Sequence, residues 1–260
     1  MRHSVLFTAL AGLFTAAQAW AVPVLQIGAP AGPGDTGIYA DYQTNTSNPT
    51  ETDTAIISSG TILVAGVYQN NNVLSLGGQS TGNNWSNFGF PTVFNGHDAV
   101  LLVSVPEGSL GTALGNPLLV GGNTAFYSDA TMSFFPNNHA PVQSGVSDFL
   151  FFDIGDFTKI AGAVPDFSTE TGTADGQVKT VTVSGFGSLA WAHFDVMALQ
   201  TSTQGQTNIV TTLENNPGSH DVTWKGGPPS QELPEPGTLA LLGLGLLGFG
   251  VSRRQRNKLA

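Results

Sequence analysis

The stretch KTVTVS at positions 179–184 alternates polar and β-branched apolar side chains after its opening lysine. Successive side chains of a strand point to opposite faces, so this period of two predicts a strand with one buried face and one solvated face. Residues 185–188, Gly-Phe-Gly-Ser, are turn-forming and lead into the apolar run Leu189–Leu199. Together these segments predict a β-hairpin.

Short β-branched or aromatic runs recur elsewhere, and turn-forming residues separate them. The predicted strands are Thr61–Tyr68, Ala99–Val105, Asp148–Ile154, Val178–Ser184, Leu189–Leu199 and Asn208–Leu213. The predicted turns are Asn95-Gly96, Gly121-Gly122, Asp175-Gly176 and Asn215-Asn216-Pro217. The pattern is typical of an all-β protein.

No stretch of ten or more residues between Val22 and Pro229 keeps a helical apolar period. The segment Gly28–Thr54 is poor in apolar residues and predicts a long loop with one strand around Ile38–Tyr42. We therefore predict one all-β domain, residues 22–227, of β-sandwich or jelly-roll type.

The N-terminus has the pattern of a secretory signal peptide. A basic start at Arg2 precedes the apolar run Val5–Ala17, and Ala19 and Ala21 form an Ala-x-Ala cleavage site. We predict that residues 1–21 direct export across the inner membrane and that signal peptidase cuts after Ala21. The alternative is a buried N-terminal helix of a cytosolic domain, for which no amphipathic partner helix follows.

The C-terminus contains three segments in a fixed order. A proline-rich spacer, residues 228–236, ends in Pro234-Glu235-Pro236, and residues 237–252 are almost entirely apolar or glycine. Residues 253–260 are basic through Arg253, Arg254, Arg256 and Lys258. This order resembles the PEP-CTERM sorting signal of Gram-negative bacteria. The resemblance implies processing by the membrane protease exosortase and a destination at the cell surface or in the extracellular matrix, in systems linked to exopolysaccharide.

The apolar C-terminal segment is short for a membrane helix. As a helix rising ~1.5 Å per residue, the 14 residues Thr238–Val251 reach ~21 Å, against ~30 Å of hydrocarbon. The basic tail belongs on the cytoplasmic side, which leaves the β domain outside the inner membrane. A marginal span suits a transient anchor that is later removed, and an ordinary transmembrane anchor is the alternative.

Charge is distributed unevenly along the chain. Residues 22–236 contain three lysines, no arginine and all 18 acids, which gives a formal charge of −15 (3 − 18). Such a surface repels nucleic acid, so nucleic-acid binding is excluded. The absence of cysteine excludes disulfides, zinc thiolate sites and thiol nucleophiles. No cofactor is predicted, although the acidity leaves calcium open.

A second resemblance rests on short blocks within the domain. The blocks are Val22-Pro23-Val24-Leu25-Gln26, Val103-Ser104-Val105-Pro106, Val183-Ser184-Gly185-Phe186, Trp191-Ala192-His193-Phe194-Asp195 and Ser219-His220-Asp221. They are similar to the bacterial choice-of-anchor N family, whose members share an exported domain and differ in their anchoring tails. This resemblance implies a surface role and names no reaction.

Two histidine–aspartate pairs are candidate ligands. His193 and Asp195 lie two apart on a predicted strand and therefore share a face, on which they could share a metal or a proton. His220 and Asp221 could join them and complete a metal site, although a hydrogen-bonded histidine inside the sandwich is the alternative. The sequence does not specify which metal such a site would bind. No catalytic residue is predicted, because the serine-hydrolase, zinc-protease and phosphate-loop motifs are absent.

The leading hypothesis is a non-enzymatic, exosortase-processed surface or matrix protein associated with exopolysaccharide. Two alternatives rest on residue type. The first is a calcium-stabilised adhesion domain using the acids Asp148, Asp153, Asp156, Asp166, Glu170 and Asp175. The second is a carbohydrate-binding module or glycoside hydrolase, with sugars stacking on Trp85, Phe88, Phe90, Phe94, Tyr127, Phe134 and Phe135.

Overall fold

The computed structural model describes residues 22–30, 55–78, 84–111, 117–131, 141–142, 144–167, 173–187, 189–205, 207–218 and 220–225. The strands in these ranges are β1 (Leu25–Gly28), β2 (Ala55–Ile57), β3 (Thr61–Val67), β4 (Val73–Leu76), β5 (Val100–Pro106), β6 (Leu119–Val120), β7 (Tyr127–Asp129), β8 (Ser147–Asp153), β9 (Ile160–Pro165), β10 (Thr173–Ser184), β11 (Trp191–Gln204), β12 (Asn208–Asn215) and β13 (Val222–Lys225). Two short 3-10 helices span Trp85–Phe88 and Thr92–Phe94. The predicted signal peptide, the strand around Ile38–Tyr42 and all segments from residue 228 onward lie outside the described residues.

The strands form two sheets, so the all-β sandwich prediction is confirmed. In the first sheet the order is β1-β3-β10-β6, and β9 also pairs with β10. In the second sheet the order is β2-β13-β11-β5-β8-β7, and both β12 and β4 also pair with β11. The β13–β2 pair is parallel, whereas the long central pairs are antiparallel. The longest strands, β10 and β11, organise one sheet each.

The main core lies between the two sheets. Val64 and Val183 from the first sheet pack in one cluster with Leu101, Phe194 and Val196 from the second. All of these side chains are buried. Each large apolar side chain that is fully buried contributes roughly 1.5–3 kcal/mol, so this layer is the main stabilising contact between the sheets.

A smaller core covers the opposite face of the second sheet. Residues alternate along β5, with Leu101 directed to the main core and Leu102 to this second cluster. Trp85 and Phe94 from the 3-10 helices pack on that face against Phe151 of β8. The sheet is therefore apolar on both faces near its centre.

The predicted hairpin between β10 and β11 is wrong. The two strands lie in different sheets, so the chain passes from one layer to the other after Ser184. Both edges of β11 are already occupied, since β5 and β13 pair with it over the same two residues, His193 and Phe194. The crossing lets the apolar faces of β10 and β11 meet across the core instead of lying side by side. Alternation predicted the strands correctly but did not specify their partners.

The six predicted strands are confirmed, and two of them extend well beyond a predicted end. Strand β11 continues past Leu199 to Gln204. Strand β10 begins at Thr173 rather than Val178, because it runs through the predicted turn Asp175-Gly176. Its pairing with β9 shifts register between Ala174 and Gly176, and Gly176 has a φ of 153°. The glycine therefore marks an irregularity within a strand and not a chain reversal.

In the part of the chain that the structure describes, no helix has the length and apolar character needed to cross a membrane. The predicted membrane segment, residues 237–252, lies outside that part.

Candidate functional site

Strand β11 places His193 and Asp195 together on the face of the second sheet that points away from the main core. The intervening Phe194 enters the main core, as alternation along a strand requires. His193 Nε2 lies 3.2 Å from Asp195 Oδ2, and both side chains are 0 % exposed. The sequence predicted that these two residues share a face, and the structure brings their polar atoms close together.

Asp221, the residue immediately before β13, completes the cluster. Its Oδ2 lies 3.7 Å from His193 Nε2, and its side chain is also fully buried. One ligand-type atom from each of His193, Asp195 and Asp221 lies within 4.8 Å of the others. We call these three residues the His193 cluster.

Thr223 fixes the orientation of the imidazole. It lies directly opposite His193 in the β11–β13 pairing, and its hydroxyl is 2.9 Å from His193 Nδ1. This contact directs the other ring nitrogen, Nε2, toward the two carboxylates. A hydrogen bond at one ring nitrogen commonly determines which nitrogen is available for chemistry.

Asn216 restrains the cluster through a hydrogen bond to Asp195. Strand β12 ends at Asn215 opposite Met197, and β13 begins at Val222 opposite Phe194, so residues 216–221 interrupt the pairing along this edge of β11. The Asn216 Nδ2 group donates to Asp195 Oδ1 at 2.9 Å. This bond engages one oxygen of Asp195 and leaves its other oxygen facing His193.

His220 does not join its neighbour Asp221 in the cluster. Its Nε2 lies 3.7 Å from Asp166 Oδ1, and its backbone carbonyl accepts a hydrogen bond from Ile27 N–H of β1 at 2.9 Å. Of the four residues considered from the sequence, the structure therefore gathers one histidine and both aspartates. The remaining histidine contacts the first sheet.

The donor atoms of the His193 cluster lie close enough together that they could hold a proton or a cation. A protonated imidazole carries one positive charge, whereas two ionised carboxylates carry two negative charges. Burial away from water penalises such an imbalance strongly unless protons, hydrogen bonds or a cation offset it. Since none of the three side chains is exposed, a substrate in solution has no direct access to them.

Three of the acids considered for calcium, Asp148, Asp166 and Asp175, occupy separate environments, whereas Asp153 and Asp156 both lie near Asp98. Asp148 is buried and accepts a hydrogen bond from Leu110 N–H at 2.7 Å. Asp166 lies near His220, and Asp175 lies 3.9 Å from Lys159. Glu170 lies outside the described residues. Calcium binding by these acids stays a prediction.

A second polar group at the protein surface was not apparent from the sequence. Asp98 lies near Asp153 and Asp156, and burial, followed by the charges of these two acids, raises its pKa. Lys179 donates to the Ile154 and Gly155 carbonyls at 2.6 and 2.9 Å. Burial lowers the pKa of Lys179, whereas Asp156, Asp98 and Asp153 oppose that shift. The residues converge from β8, β10 and the loop before β5.

His97 adjoins this surface group. Its Nδ1 lies 2.9 Å from Asp153 Oδ2, and both side chains are partly exposed. The ring also stacks on Phe126, with centroids 3.8 Å apart. The pair provides an accessible counterpart to the buried His193–Asp195 pair.

Most of the aromatic residues considered for sugar stacking belong to the second core. Trp85, Phe90 and Phe94 are buried, and Phe88 and Tyr127 pack against them half-buried. Buried rings offer no face to a sugar, so stacking on the first three is excluded. Phe134 and Phe135 lie outside the described residues.

A different aromatic pair lies nearer the surface. The rings of Phe186 and Trp224 stack with centroids 4.0 Å apart and planes inclined by 7°, and both residues are half-buried. Trp224 comes from β13, and Phe186 comes from the crossing after β10. Their contact therefore joins the two sheets and needs no ligand to explain it.

Residues 232–254 match the PEP-CTERM protein-sorting motif. The chain carries an exosortase sorting signal. The match includes Pro234, Glu235, Pro236, Arg253 and Arg254, and Arg256 follows two residues beyond it. The motif indicates an exported protein that exosortase processes and sorts to the cell surface.

No curated protein and no solved structure matches the chain significantly. The resemblance of the β domain to the choice-of-anchor N family stays a prediction, as do the signal-peptidase site at Ala19 and Ala21 and the domain boundaries.

Proposed function

We propose that this protein is a non-enzymatic component of the cell surface or extracellular matrix, delivered by exosortase and retained with exopolysaccharide. The observation that carries the proposal is the sorting motif at residues 232–254, which follows a β-sandwich with a formal charge of −15 over residues 22–236. The signal peptide, residues 1–21, directs export across the inner membrane, and the C-terminal motif then directs processing by exosortase.

The closed character of the His193 cluster supports a non-enzymatic role. General acid–base catalysis requires a titratable group within hydrogen-bond reach of the substrate. His193, Asp195 and Asp221 are all fully buried on the sheet, so they are placed to support structure.

The negative charge of the domain restricts which polysaccharides it can bind. A strongly acidic surface repels an anionic polymer at low ionic strength, so a neutral polysaccharide is the expected partner. Strand β12 offers suitable groups, since its exposed Asn208 and Thr212 side chains can hydrogen-bond to sugar hydroxyls.

Processing follows from the order of the C-terminal segments. The apolar residues 237–252 hold the chain in the inner membrane until exosortase cuts near Pro234-Glu235-Pro236. The short span makes this anchor transient, and the domain then moves to the surface or the matrix.

Intact-mass analysis of the exported protein tests the processing. We expect a mature chain without residues 1–21 and without the residues that follow the Pro-Glu-Pro region. The triple variant Pro234→Ala, Glu235→Ala, Pro236→Ala should keep its C-terminal tail and remain in the membrane fraction. The matched control Pro228→Ala, Pro229→Ala changes the same spacer and should be processed. A wild-type mature protein that ends at Ala260 contradicts the proposal.

Fractionation of the matrix tests the retention. We expect the processed protein to sediment with extracellular polysaccharide and to be released when a polysaccharide-degrading enzyme is added. The triple tail variant should be missing from that fraction. A wild-type protein that is fully free in the medium, with polysaccharide present, would contradict retention while leaving processing intact.

A further inference from the structure

We propose that His193, Asp195 and Asp221 form a closed structural site for one divalent first-row transition-metal ion, such as Zn²⁺ or Mn²⁺. The ion joins β11, which supplies the first two ligands, to Asp221, the residue immediately before β13. This site is independent of sorting and of polysaccharide retention.

The spacing of the donor atoms fits a shared ion. Two atoms that each bind a metal at about 2.1 Å lie about 3.0 Å apart at a right angle and about 3.4 Å apart at the tetrahedral angle. The distances from His193 Nε2 to the carboxylate oxygens of Asp195 and Asp221 are 3.2 and 3.7 Å. The 3.7 Å separation of Nε2 from the Asp221 oxygen exceeds the range of a hydrogen bond, which ends at about 3.2 Å.

The surrounding hydrogen bonds orient the ligands as metal sites require. When His193 Nδ1 donates to Thr223 Oγ1, the lone pair of Nε2 points toward the two carboxylates. A lone pair facing carboxylate oxygens is repulsive unless a cation lies between them. Asn216 restrains Asp195 in the same way, through its bond to Oδ1. Such outer partners fix the orientation of ligands in known metal sites.

Ser104 is an independent sign that the site is built for a ligand. It lies directly opposite His193 in the β5–β11 pairing, so both side chains project from the same face. Its Oγ is buried and has no hydrogen-bond partner in the structure. A buried hydroxyl is seldom left unsatisfied, and an ion or its bound water beside His193 would supply the partner.

The donor set determines the class of metal. Calcium and magnesium take oxygen ligands and seldom use imidazole, whereas zinc, manganese and related ions accept a nitrogen together with carboxylates. Three protein ligands leave a fourth position, which a bound water would fill. Because the three side chains are fully buried, that position is closed to a substrate in solution and the site is structural.

Such an ion acts where the second sheet is interrupted. Residues 216–221 break the pairing between β12 and β13, and Asp221 is the last residue before β13 begins. A bond from Asp221 through the ion to β11 therefore holds β13, which is the last described strand before the sorting spacer in the sequence.

Metal titration of the full chain, purified in mild detergent and stripped with a chelator, tests the proposal. We expect one Zn²⁺ or Mn²⁺ per chain by calorimetry and elemental analysis, and a melting temperature that rises with either ion. Calcium and magnesium should leave the melting temperature unchanged. A wild-type chain that takes up no transition metal overturns the proposal.

Matched variants locate the ion. Asp221→Asn and His193→Gln should abolish the stoichiometric uptake, and Thr223→Val, which keeps the ligands, should weaken binding by about 10- to 100-fold. The control His97→Gln, Asp153→Asn alters an accessible pair of the same residue types and should still bind one ion. Loss of uptake in this control, or full uptake by a cooperatively melting Asp221→Asn chain, overturns the proposal. If Asp221→Asn does not fold, the metal affinity of Thr223→Val and the metal uptake of the control variant test the proposal instead.

Discussion

Asn216 replaces a missing strand residue opposite Val196. Its side-chain Oδ1 accepts a hydrogen bond from Val196 N–H at 2.7 Å, and its own N–H donates to the Val196 carbonyl at 3.2 Å. Asn216 therefore satisfies both backbone groups of Val196 at the point where β12 has ended and β13 has not begun. The same side chain also reaches Asp195, so it connects the sheet to the His193 cluster.

Replacing Asn216→Ala should strongly destabilise the domain. The substitution leaves Val196 N–H and one Asp195 oxygen without this partner inside the protein, and each such loss costs about 1–3 kcal/mol. We expect the free energy of unfolding to fall by roughly 3 kcal/mol in urea denaturation. The neighbour Asn215, whose side chain hydrogen-bonds within the described residues only to the Asn216 carbonyl, is a suitable control. Asn215→Ala should cost about 1 kcal/mol or less, and equal losses in the two variants would contradict this role.

The strands were predictable from the sequence, but their partners were not. Val181 and Val183 are buried while Thr180 and Thr182 are exposed, as the alternation in KTVTVS requires. Alternation does not say which strand lies alongside, and β10 and β11 separate into different sheets because both edges of β11 have other partners. Short strands such as β6 and β13 were missed, since two to four residues are too few to show a period.

A methyl group at Gly66 should disrupt the main core where Phe157 packs on the first sheet. A Cβ at this position would overlap the buried ring of Phe157, which also lies 4.9 Å from Lys179 Nζ. Overpacking of this kind typically costs about 1–3 kcal/mol, so Gly66→Ala should lower the midpoint of chemical denaturation. Gly111→Ala is the control, because a Cβ there meets nothing within 4 Å. Its effect should stay within about 0.5 kcal/mol.

The Asp98 carboxyl should make stability depend on pH. Burial and the nearby Asp153 and Asp156 raise its pKa above the ordinary value of 3.8, so the folded state holds this proton more tightly than the unfolded state does. The cost of ionising Asp98 is absent below pH 3.8 and appears as pH rises through the folded pKa.

Asp98→Asn removes that cost. We expect a higher melting temperature than wild type at pH 7, by up to about 2–4 °C for a half-buried group, and no difference below pH 3.8. Glu214→Gln on β12 is the control for removing one negative charge from an acidic domain. A gain from Asp98→Asn that does not vary between pH 3 and pH 7, or that Glu214→Gln matches, would show that local burial is not the cause.

The His193 cluster was only partly foreseeable. The spacing of His193 and Asp195 predicts a shared face, because residues two apart on a strand point the same way. Asp221 joins them only through the pairing of β13 with β11, which is a long-range contact. Asn216 was predicted as a turn residue, yet its side chain bonds to residues 20 and 21 positions earlier in the chain. Contacts over such distances leave no periodic signal in the sequence.

The basic tail should control processing through its charge. Each arginine near an anionic cytoplasmic leaflet is attracted to it by about 1 kcal/mol. Arg253, Arg254 and Arg256 together therefore oppose movement of the basic tail across the membrane by about 3 kcal/mol. Replacing all three with glutamine should let the tail enter the periplasm and prevent correct presentation to exosortase. Intact-mass analysis should then show an exported chain that retains its C-terminal residues. The triple lysine variant keeps the charge and should be processed like wild type. Failure of the lysine variant would mean that exosortase recognises the guanidinium groups themselves, and normal processing of the glutamine variant would mean that the charge has no role.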